Sequence, residues 1–178
     1  MGRVREFVAI DVGEAGGEGV RIAPAHLTLR FLGEVDPARN AGIVEALGRV
    51  ASAVPPFTLQ LQGVGAFPSA RRPRVVWQGV GAGRAELVDL AQRVRTALEP
   101  EFGPDREAFV PHLTLFRVRS PRDLEAALEL LSRRRIAPPA REARVSELLL
   151  KESVLGARGA VHQTLAAVPL GRETAGSR

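Results

Sequence analysis

The tetrapeptide HLTL stands at residues 26–29 and again at residues 112–115. The chain has only three histidines and six threonines, so chance alone would place a threonine two positions after both chosen histidines in roughly one chain in a thousand. A proline lies upstream of each copy, and each copy is followed by a residue that favours a helix N-cap and then by proline, in Asp36-Pro37 and Ser120-Pro121. The repeat therefore indicates an internal duplication with one histidine strand in each half.

The composition is that of an ordinary globular domain. With 178 residues and 45% hydrophobic content, the chain is long enough for one domain or two closely packed half-domains. We assign residues 1–170 to a single two-lobed domain and the polar residues 171–178 to a flexible tail. No apolar run approaches the ~20 residues that span a bilayer, so no membrane partner is expected. The absence of cysteine excludes disulfides and suits a cytoplasmic protein, which we expect to be a monomer.

The charge of the chain permits a nucleic-acid substrate without selecting one. The net charge is +5, and every basic residue except Lys151 is arginine, a side chain suited to bidentate phosphate contacts. A general preference for arginine in the genome would give the same composition. Arg71, Arg72 and Arg74 either contact RNA phosphates or form a solvated turn, and the sequence leaves both interpretations open.

The pattern of hydrophobic residues predicts strands and helices without regular alternation, and therefore an α+β fold with two lobes. Helices are expected after Asp36, over 84–99 and after Ser120. The segments 12–19 and 65–73, which contain several glycines and prolines, are expected to be loops. Strands are predicted over 5–11, 21–32, 57–64, 75–80, 109–118, 144–151 and 161–169.

The repeated strand can present an imidazole beside a hydroxyl. Because side chains alternate along a strand, each copy is expected to place its histidine, its threonine and the residue two further on to one face. These residues are His26, Thr28 and Arg30 in the first copy, and His112, Thr114 and Phe116 in the second. If a pseudo-twofold axis relates the two halves, both polar faces line one cleft.

Two imidazoles in one cleft suit acid–base chemistry at phosphorus. An unperturbed pKa near 6.5 lets one ring be neutral and the other protonated, as a general base and a general acid require. The threonine hydroxyls can donate to non-bridging phosphate oxygens. With no Cys, no HExxH and no carboxylate cluster beside either copy, we expect neither a metal nor any other cofactor. A third match, at His162 and Thr164, lacks the flanking proline and capped helix, so His162 is interpreted as a strand residue on a polar face.

The paired His-x-Thr-x motifs resemble those of the two-histidine (2H) phosphoesterase superfamily. Further stretches resemble its RNA 2′,3′-cyclic phosphodiesterases, also called 2′-5′ RNA ligases or LigT-like proteins. These stretches are 7–11 (FVAID), 26–34 (HLTLRFLGE), 63–68 (GVGAFP), 73–80 (PRVVWQGV), 111–117 (PHLTLFR) and 153–159 (SVLGARG).

The resemblance implies two antiparallel sheets flanking a positively charged central cleft, with helices outside. It implies hydrolysis of a 2′,3′-cyclic phosphate at an RNA 3′ end to a 2′-phosphomonoester, with 2′-5′ ligation as a possible reverse activity. By the family's assignment, His26 donates a proton to the leaving 3′ oxygen and His112 accepts one from water, while Thr28 and Thr114 bind phosphate. Arg117 matches a family arginine, but strand parity turns it away from His112 unless the strand bulges. Arg30, Phe116 and Arg117 are thus candidate substrate contacts.

Two departures from the family pattern stand out. The family usually has a helix between the first strand and the first motif, where this chain has a short glycine-rich link, so the first lobe should be smaller and its rim more open. The family also tends to have tyrosine at the position of His162.

Three other functions remain open at this point. They are a 2H phosphodiesterase for a small cyclic phosphate, a catalytically idle RNA-binding module, and a metallohydrolase that uses all three histidines.

Overall fold

The computed structural model describes residues 3–13, 15–17, 20–22, 25–105, 107–132, 140–156 and 159–171. Its strands are β1 Val4–Asp11, β2 Ala15–Gly17, β3 Val20–Ile22, β4 His26–Val35, β5 Phe57–Ser69, β6 Arg72–Val80, β7 His112–Arg117, β8 Arg141–Val145, β9 Glu147–Gly156 and β10 Gly159–Pro169. Its α-helices are α1 Asn40–Ser52, α2 Arg84–Phe102 and α3 Pro121–Ser132.

Two four-stranded antiparallel sheets form the two lobes. The strand order is β10-β9-β1-β4 in the first sheet and β7-β6-β5-β8 in the second. The expected α+β fold is confirmed. Each HLTL copy lies on an edge strand, β4 or β7, and these two edges contact each other. The duplication seen in the sequence thus brings the two histidine strands together between the lobes.

The helices cover the sheets with their apolar faces. Helix α1 packs against β9 and β10, α2 packs against α1, β4 and β5, and α3 packs against β5 and β6. Because α2 contacts strands of both sheets, its buried leucines join the two lobes into one hydrophobic core.

Both predicted helix starts are confirmed by their caps. The Asp36 carboxylate accepts a hydrogen bond from the Ala38 amide at 3.0 Å and begins a 3-10 turn that leads into α1. Ser120 Oγ accepts from the Asp123 amide at 3.1 Å, and Asp123 Oδ2 accepts from the Ser120 amide at 2.9 Å. This reciprocal pair is a capping box, which satisfies amides that the helix leaves without partners.

Both predicted loops are wrong in part. Instead of a loop over 65–73, β5 continues to Ser69 and β6 begins at Arg72, so only a tight turn separates them. Gly65 lets the ring of Trp77 lie close to the backbone of β5, since a Cβ at Gly65 would fall 2.3 Å from that ring. The glycine here allows close packing within a sheet.

In the segment expected to be a loop over 12–19, residues 15–17 pair with β3 in a small hairpin. The strand expected over 21–32 is therefore two strands, β3 and β4.

Gly171, the first residue of the expected tail, is held by two backbone hydrogen bonds. The Gly171 amide donates to Ala51 O at 2.8 Å and to Val54 O at 3.0 Å, which ties the end of β10 to the end of α1. Residues 172–178 and Pro24 lie outside the described residues. The assignment of 1–170 to one domain stays a prediction.

Candidate active site

The two histidine strands border a cleft of about 850 Å³ between the sheets. The cleft is lined by both histidines and both threonines of the repeated motif, His26, Thr28, His112 and Thr114. All four side chains are half-buried. The structure therefore brings the four predicted motif residues into one cavity, as a pseudo-twofold duplication predicts.

A β-bulge occurs at the same position of both motifs. In the first, Ala9 pairs with Thr28 and Val8 pairs with Arg30, so Leu29 is an extra residue. In the second, Trp77 pairs with Thr114 and Val76 pairs with Phe116, so Leu115 is extra. A bulge reverses the alternation of side chains beyond it. The strand parity expected from the sequence is thus correct as far as the threonines and wrong beyond them.

In the first motif, the bulge turns Phe31 to the sheet face that carries His26, while Arg30 pairs with buried Val8 on the other face and still borders the cleft. Directly paired residues share a face of the sheet, and Phe31 pairs with Phe7, whose ring contacts His26. Arg30 is only 3% exposed, and its two terminal nitrogens donate at 2.5 Å to the carbonyls of Arg95, within α2, and of Gly103, the residue that follows α2. These bonds tie β4 to α2 and the residue after it, and the substrate contact expected of Arg30, which borders the cleft, stays a prediction.

In the second motif, the same bulge exchanges the roles predicted for Phe116 and Arg117. Phe116 pairs with buried Val76 and packs against the hydrophobic core, so the predicted contact with substrate is not supported. Arg117 is exposed and lines the cleft on the His112 face. The condition attached to Arg117, a bulge in its strand, is met.

His26 lies in a cluster of rings on the cleft face of the first sheet. Its ring centroid is 5.2 Å from that of Phe7 and 4.9 Å from that of His162, which meets it edge-on. His162 is on β10 and His26 is on β4, at opposite edges of the sheet. The ring of Phe7, on β1 between those two strands, contacts both imidazoles, with centroids 5.2 Å from His26 and 5.1 Å from His162. His162 therefore belongs to the wall of the cleft.

A buried ammonium group lies on the same face of the sheet as this cluster, since Lys151 pairs directly with Phe7. Lys151 is 2% exposed, and its Nζ contacts Thr164 Oγ1 at 3.1 Å and Asp11 Oδ1 at 3.3 Å. Asp11 is the residue paired with His26 across β1 and β4. The one lysine of the chain thus contributes a fixed positive charge close to the first candidate catalytic histidine.

These surroundings favour the neutral form of His26. Burial above all, together with the positive charges of His162 and Lys151, lowers the pKa of His26 to about 4, and only Asp11 acts in the opposite direction. Burial also lowers the pKa of His162, and Lys151 contributes to that shift. An anion bound beside His26 would favour the protonated imidazole that a proton donor requires.

The ring of His112 is held by one hydrogen bond and two aromatic neighbours. Its Nδ1 lies 2.7 Å from the carbonyl oxygen of Val110, and because a carbonyl only accepts, Nδ1 carries the proton. This leaves Nε2 available to accept a proton when the ring is neutral. The Phe67 ring meets the imidazole edge-on at 5.0 Å, and Trp77 lies at 6.3 Å.

No candidate metal centre or membrane span is found in the part of the chain that the structure describes. Among those residues, no three His, Cys, Asp or Glu side chains are grouped so as to hold a metal ion. None of the described helices is long and apolar enough to cross a membrane. The exposed Arg71, Arg72 and Arg74 lie at the β5–β6 turn, outside the set of residues that line the cleft.

Sequence reasoning missed the aromatic neighbours of the histidines and the buried lysine. Phe7, Phe67 and Trp77 come from neighbouring strands, and only the register of those strands brings them to the imidazoles. A signal was present for Lys151, because a single lysine directly after the apolar run 148–150 (LLL) is unusual in an arginine-rich chain.

Comparisons with known proteins show which family and which solved structures the chain is similar to. A family model described as the 2'-5' RNA ligase superfamily matches residues 3–154. A relative from Aeropyrum pernix, named RNA 2',3'-cyclic phosphodiesterase, is 40% identical over 79% of this chain and 78% of its own length. The solved structure of TT0787 from Thermus thermophilus has a TM-score of 0.71 at 25% identity, covering 95% of this chain and 99% of that one. Escherichia coli LigT, solved in complex with NADP+, has a TM-score of 0.70 at 28% identity, covering 97% and 100%.

Proposed function

The chain belongs to the 2'-5' RNA ligase superfamily, and from this membership and its paired His-Thr strands we propose that it is an RNA 2′,3′-cyclic phosphodiesterase. The reaction opens the cyclic phosphate at an RNA 3′ end and leaves a 2′-phosphomonoester and a 3′ hydroxyl. The observation that carries the proposal is the placement of two His-x-Thr pairs, one from each sheet, in a single cleft.

The two imidazoles supply the proton transfers. Water attacks phosphorus from the His112 side, and His112 Nε2 takes a proton from the water as the new P–O bond forms. The P–O3′ bond breaks on the opposite side, and His26 gives its proton to O3′. The hydrogen bond from His112 Nδ1 to the Val110 carbonyl keeps Nε2 as the accepting atom.

Hydroxyl and guanidinium groups of the cleft bind the negatively charged non-bridging oxygens of the phosphate. Thr28 and Thr114 lie on the cleft face of their strands, one residue pair beyond the histidines, and donate to the non-bridging oxygens. Arg117, on the same face as Thr114, adds a guanidinium that can donate two hydrogen bonds to the phosphate. The substrate's negative charge also raises the pKa of His26, so binding supplies the protonated form of the acid.

The protein's own groups account for each proton, so we propose that turnover needs no metal.

When the 5′ hydroxyl of a second RNA takes the place of water, the same two transfers join the strands through a 2′-5′ bond, and the reverse reaction cleaves that bond. We include this ligation as a side activity. NADP+, with which E. coli LigT was solved, carries a 2′-phosphorylated ribose, the same group as the proposed product.

The test is hydrolysis of an oligoribonucleotide that ends in a 2′,3′-cyclic phosphate, with excess EDTA, followed by identification of the product end. We expect full turnover in EDTA and a 2′-phosphate product. Loss of activity in EDTA with recovery on adding Zn²⁺ or Mn²⁺ would favour the metallohydrolase. Faster turnover of a cyclic mononucleotide than of the oligomer would favour a small cyclic phosphate as substrate. Binding of the oligomer without turnover would favour the idle RNA-binding module.

A further inference from the structure

Three polar side chains from three neighbouring strands form a row on the cleft face of the first sheet. Arg5 on β1 pairs directly with Ser153 on β9, and Ser153 pairs directly with His162 on β10. Directly paired residues share a face of the sheet, with Cβ atoms about 5 Å apart. All three side chains line the cleft, and the proposed proton transfers use none of them. The row therefore presents a guanidinium, a hydroxyl and an imidazole side by side, in addition to the motif residues.

The row leads from the proposed proton donor to the rim of the cleft. At one end, the ring of His162 meets the ring of His26 at 4.9 Å. At the other end, the side chain of Arg5 is 67% exposed. His26 lies on β4, the edge strand that contacts β7 of the second sheet, and β1, β9 and β10 follow β4 in that order. The row thus lies on the His26 side of the reacting phosphate and not on the side of His112.

The charges around the row favour an anion. Glu34 is the residue paired with Arg5 across β1 and β4, and the two exposed side chains form an ion pair of 3.7 Å. Such pairs contribute little to stability, so the guanidinium can exchange this carboxylate for a phosphate. Two residues before Ser153 on β9, the Lys151 ammonium offsets the Asp11 carboxylate that it contacts at 3.3 Å. Guanidinium, hydroxyl and imidazole groups can all donate hydrogen bonds to phosphate oxygens.

The proposed reaction decides which part of the substrate lies near the row. O3′, the leaving oxygen, belongs to the ribose of the 3′-terminal nucleoside, and water attacks from the opposite side of phosphorus. The ribose must therefore lie on the side of the proton donor, His26. In an RNA, C5′ and O5′ of this ribose lead directly to the next phosphate of the chain. That phosphate accordingly lies further out on the same side, where the row is.

We propose that Arg5, Ser153 and His162 bind the phosphodiester that joins the terminal nucleoside to the nucleoside before it. This contact makes the protein select RNA ends over cyclic mononucleotides, because a mononucleotide with a free 5′ hydroxyl has no phosphate to place on the row. The inference rests on the proposed function, since the assignment of His26 to the leaving oxygen fixes the side on which the ribose lies.

The test removes the negative charge of this one phosphodiester. Two oligoribonucleotides ending in a 2′,3′-cyclic phosphate differ only in the last linkage, which is a phosphodiester in one and a neutral methylphosphonate in the other. The penultimate ribose is 2′-O-methylated in both, so that the linkage is stable. For wild type, charge-assisted hydrogen bonds predict a kcat/KM roughly 10-fold to 100-fold higher on the charged oligomer. A methylphosphonate placed one linkage further from the end should cost less than about 3-fold, because attraction to a more distant phosphate is screened by salt.

The variants are compared by the ratio of kcat/KM on the charged oligomer to kcat/KM on the neutral one, in which effects on His26 common to both substrates cancel. Arg5→Gln and His162→Phe should each lower this ratio towards one. His162→Phe keeps an aromatic ring against His26 and removes the N–H donor. Arg49→Gln is the matched control, because Arg49 on α1 is 66% exposed, is paired with Glu45 and lies outside the set of residues that line the cleft. It should leave the ratio unchanged.

Equal turnover of the charged and neutral oligomers by wild type, or an unchanged ratio in either variant of the row, would overturn the inference. Failure of the proposed function has a different signature, because wild type would then turn over none of the oligomers. In that case fluorescence anisotropy with the same charged and neutral oligomers, each ending in a 2′-phosphate, still measures the contribution of the last phosphodiester to binding. Equal affinity of wild type for the two, or binding of neither, would contradict the proposed contact.

Discussion

The protonation of His26 gives the sharpest quantitative prediction, because the fold places a positive charge next to a residue that has to be protonated in order to act. The perturbation is Lys151→Met, which removes the buried ammonium group and replaces it with an unbranched apolar side chain of similar length. Lys151 contacts Asp11, the cross-strand partner of His26, so the substitution also leaves the Asp11 carboxylate without that cation.

The size of the effect follows from the pKa of His26, which burial and the neighbouring positive charges lower to about 4. At pH 7 this leaves roughly one molecule in a thousand with His26 protonated, and the proton is held about 3 kcal/mol less favourably than on a free imidazole. Loss of the Lys151 charge moves the pKa of His26 upward, towards the ordinary value of about 6.5. Each unit by which the pKa of His26 rises increases its protonated fraction at pH 7 about tenfold.

The assay is a pH titration of the histidine C–H signals by NMR, which is simple here because the chain has three histidines. Signals are assigned with His112→Gln and His162→Gln. We expect the His26 signal of wild type to titrate near pH 4, and that of Lys151→Met to titrate at higher pH. Thr164→Val is the matched control, because it removes a hydrogen bond of Lys151 and keeps its charge, so it should leave the His26 midpoint close to that of wild type.

Two results would refute this reasoning. Titration of His26 near its ordinary value in wild type would mean that burial and Lys151 do not control its protonation. An unchanged midpoint in Lys151→Met, in a variant that melts as cooperatively as wild type, would mean that the lysine charge is screened from the imidazole.

Three further predictions concern other residues. Glu6 is fully buried, and burial raises the pKa of its carboxyl group. The carboxyl group therefore stabilises the fold below pH 4.5, and this contribution is lost as the pH rises through the raised pKa. Glu6→Gln should melt at the same temperature as wild type near pH 4 and several degrees higher at pH 8, and equal melting temperatures at pH 8 would contradict this. Arg30→Met removes the side-chain donor of two carbonyls and should lower the free energy of unfolding by about 3 kcal/mol, or Tm by roughly 6–12 °C. Arg117→Met should leave Tm within about 2 °C of wild type and raise KM. The reverse pattern would contradict the structural role of Arg30. Gly65→Ala should cost about 1–3 kcal/mol in the free energy of unfolding, because the new Cβ overlaps the Trp77 ring, and a variant as stable as wild type by denaturant unfolding would contradict that packing.

Much of the site could be predicted because it depends on local signals. The HLTL repeat, the prolines and the N-cap residues each act over a few positions, so the two histidine strands and the helices that follow them could be predicted from the sequence. Buried strands next to capped helices indicated the α+β fold for the same reason. What the duplication added was the expectation that two distant histidines share one cleft.

The errors come from features that depend on a partner strand. A bulge is set by the register between two strands, and nothing in the sequence of the first motif marks Leu29 as the extra residue. One unmarked residue in each motif was enough to exchange the sheet faces of Arg30 and Phe31, and likewise those of Phe116 and Arg117. The glycine-rich stretch near Gly65 was interpreted as a loop because single-sequence patterns do not show that Trp77 needs that space.

The most direct test of the account measures single-turnover rates of wild type, His26→Ala and His112→Ala on two substrates. One is the RNA 2′,3′-cyclic phosphate, and the other has sulfur in place of O3′, whose departing thiolate needs no proton donor. On the oxygen substrate, loss of either acid–base partner should lower the rate by roughly 10²–10⁴-fold. Only His26→Ala should recover towards wild type on the sulfur substrate. Retention of activity within about tenfold of wild type by either variant on the oxygen substrate, or recovery of His112→Ala in place of His26→Ala, would contradict the proposed pair of roles.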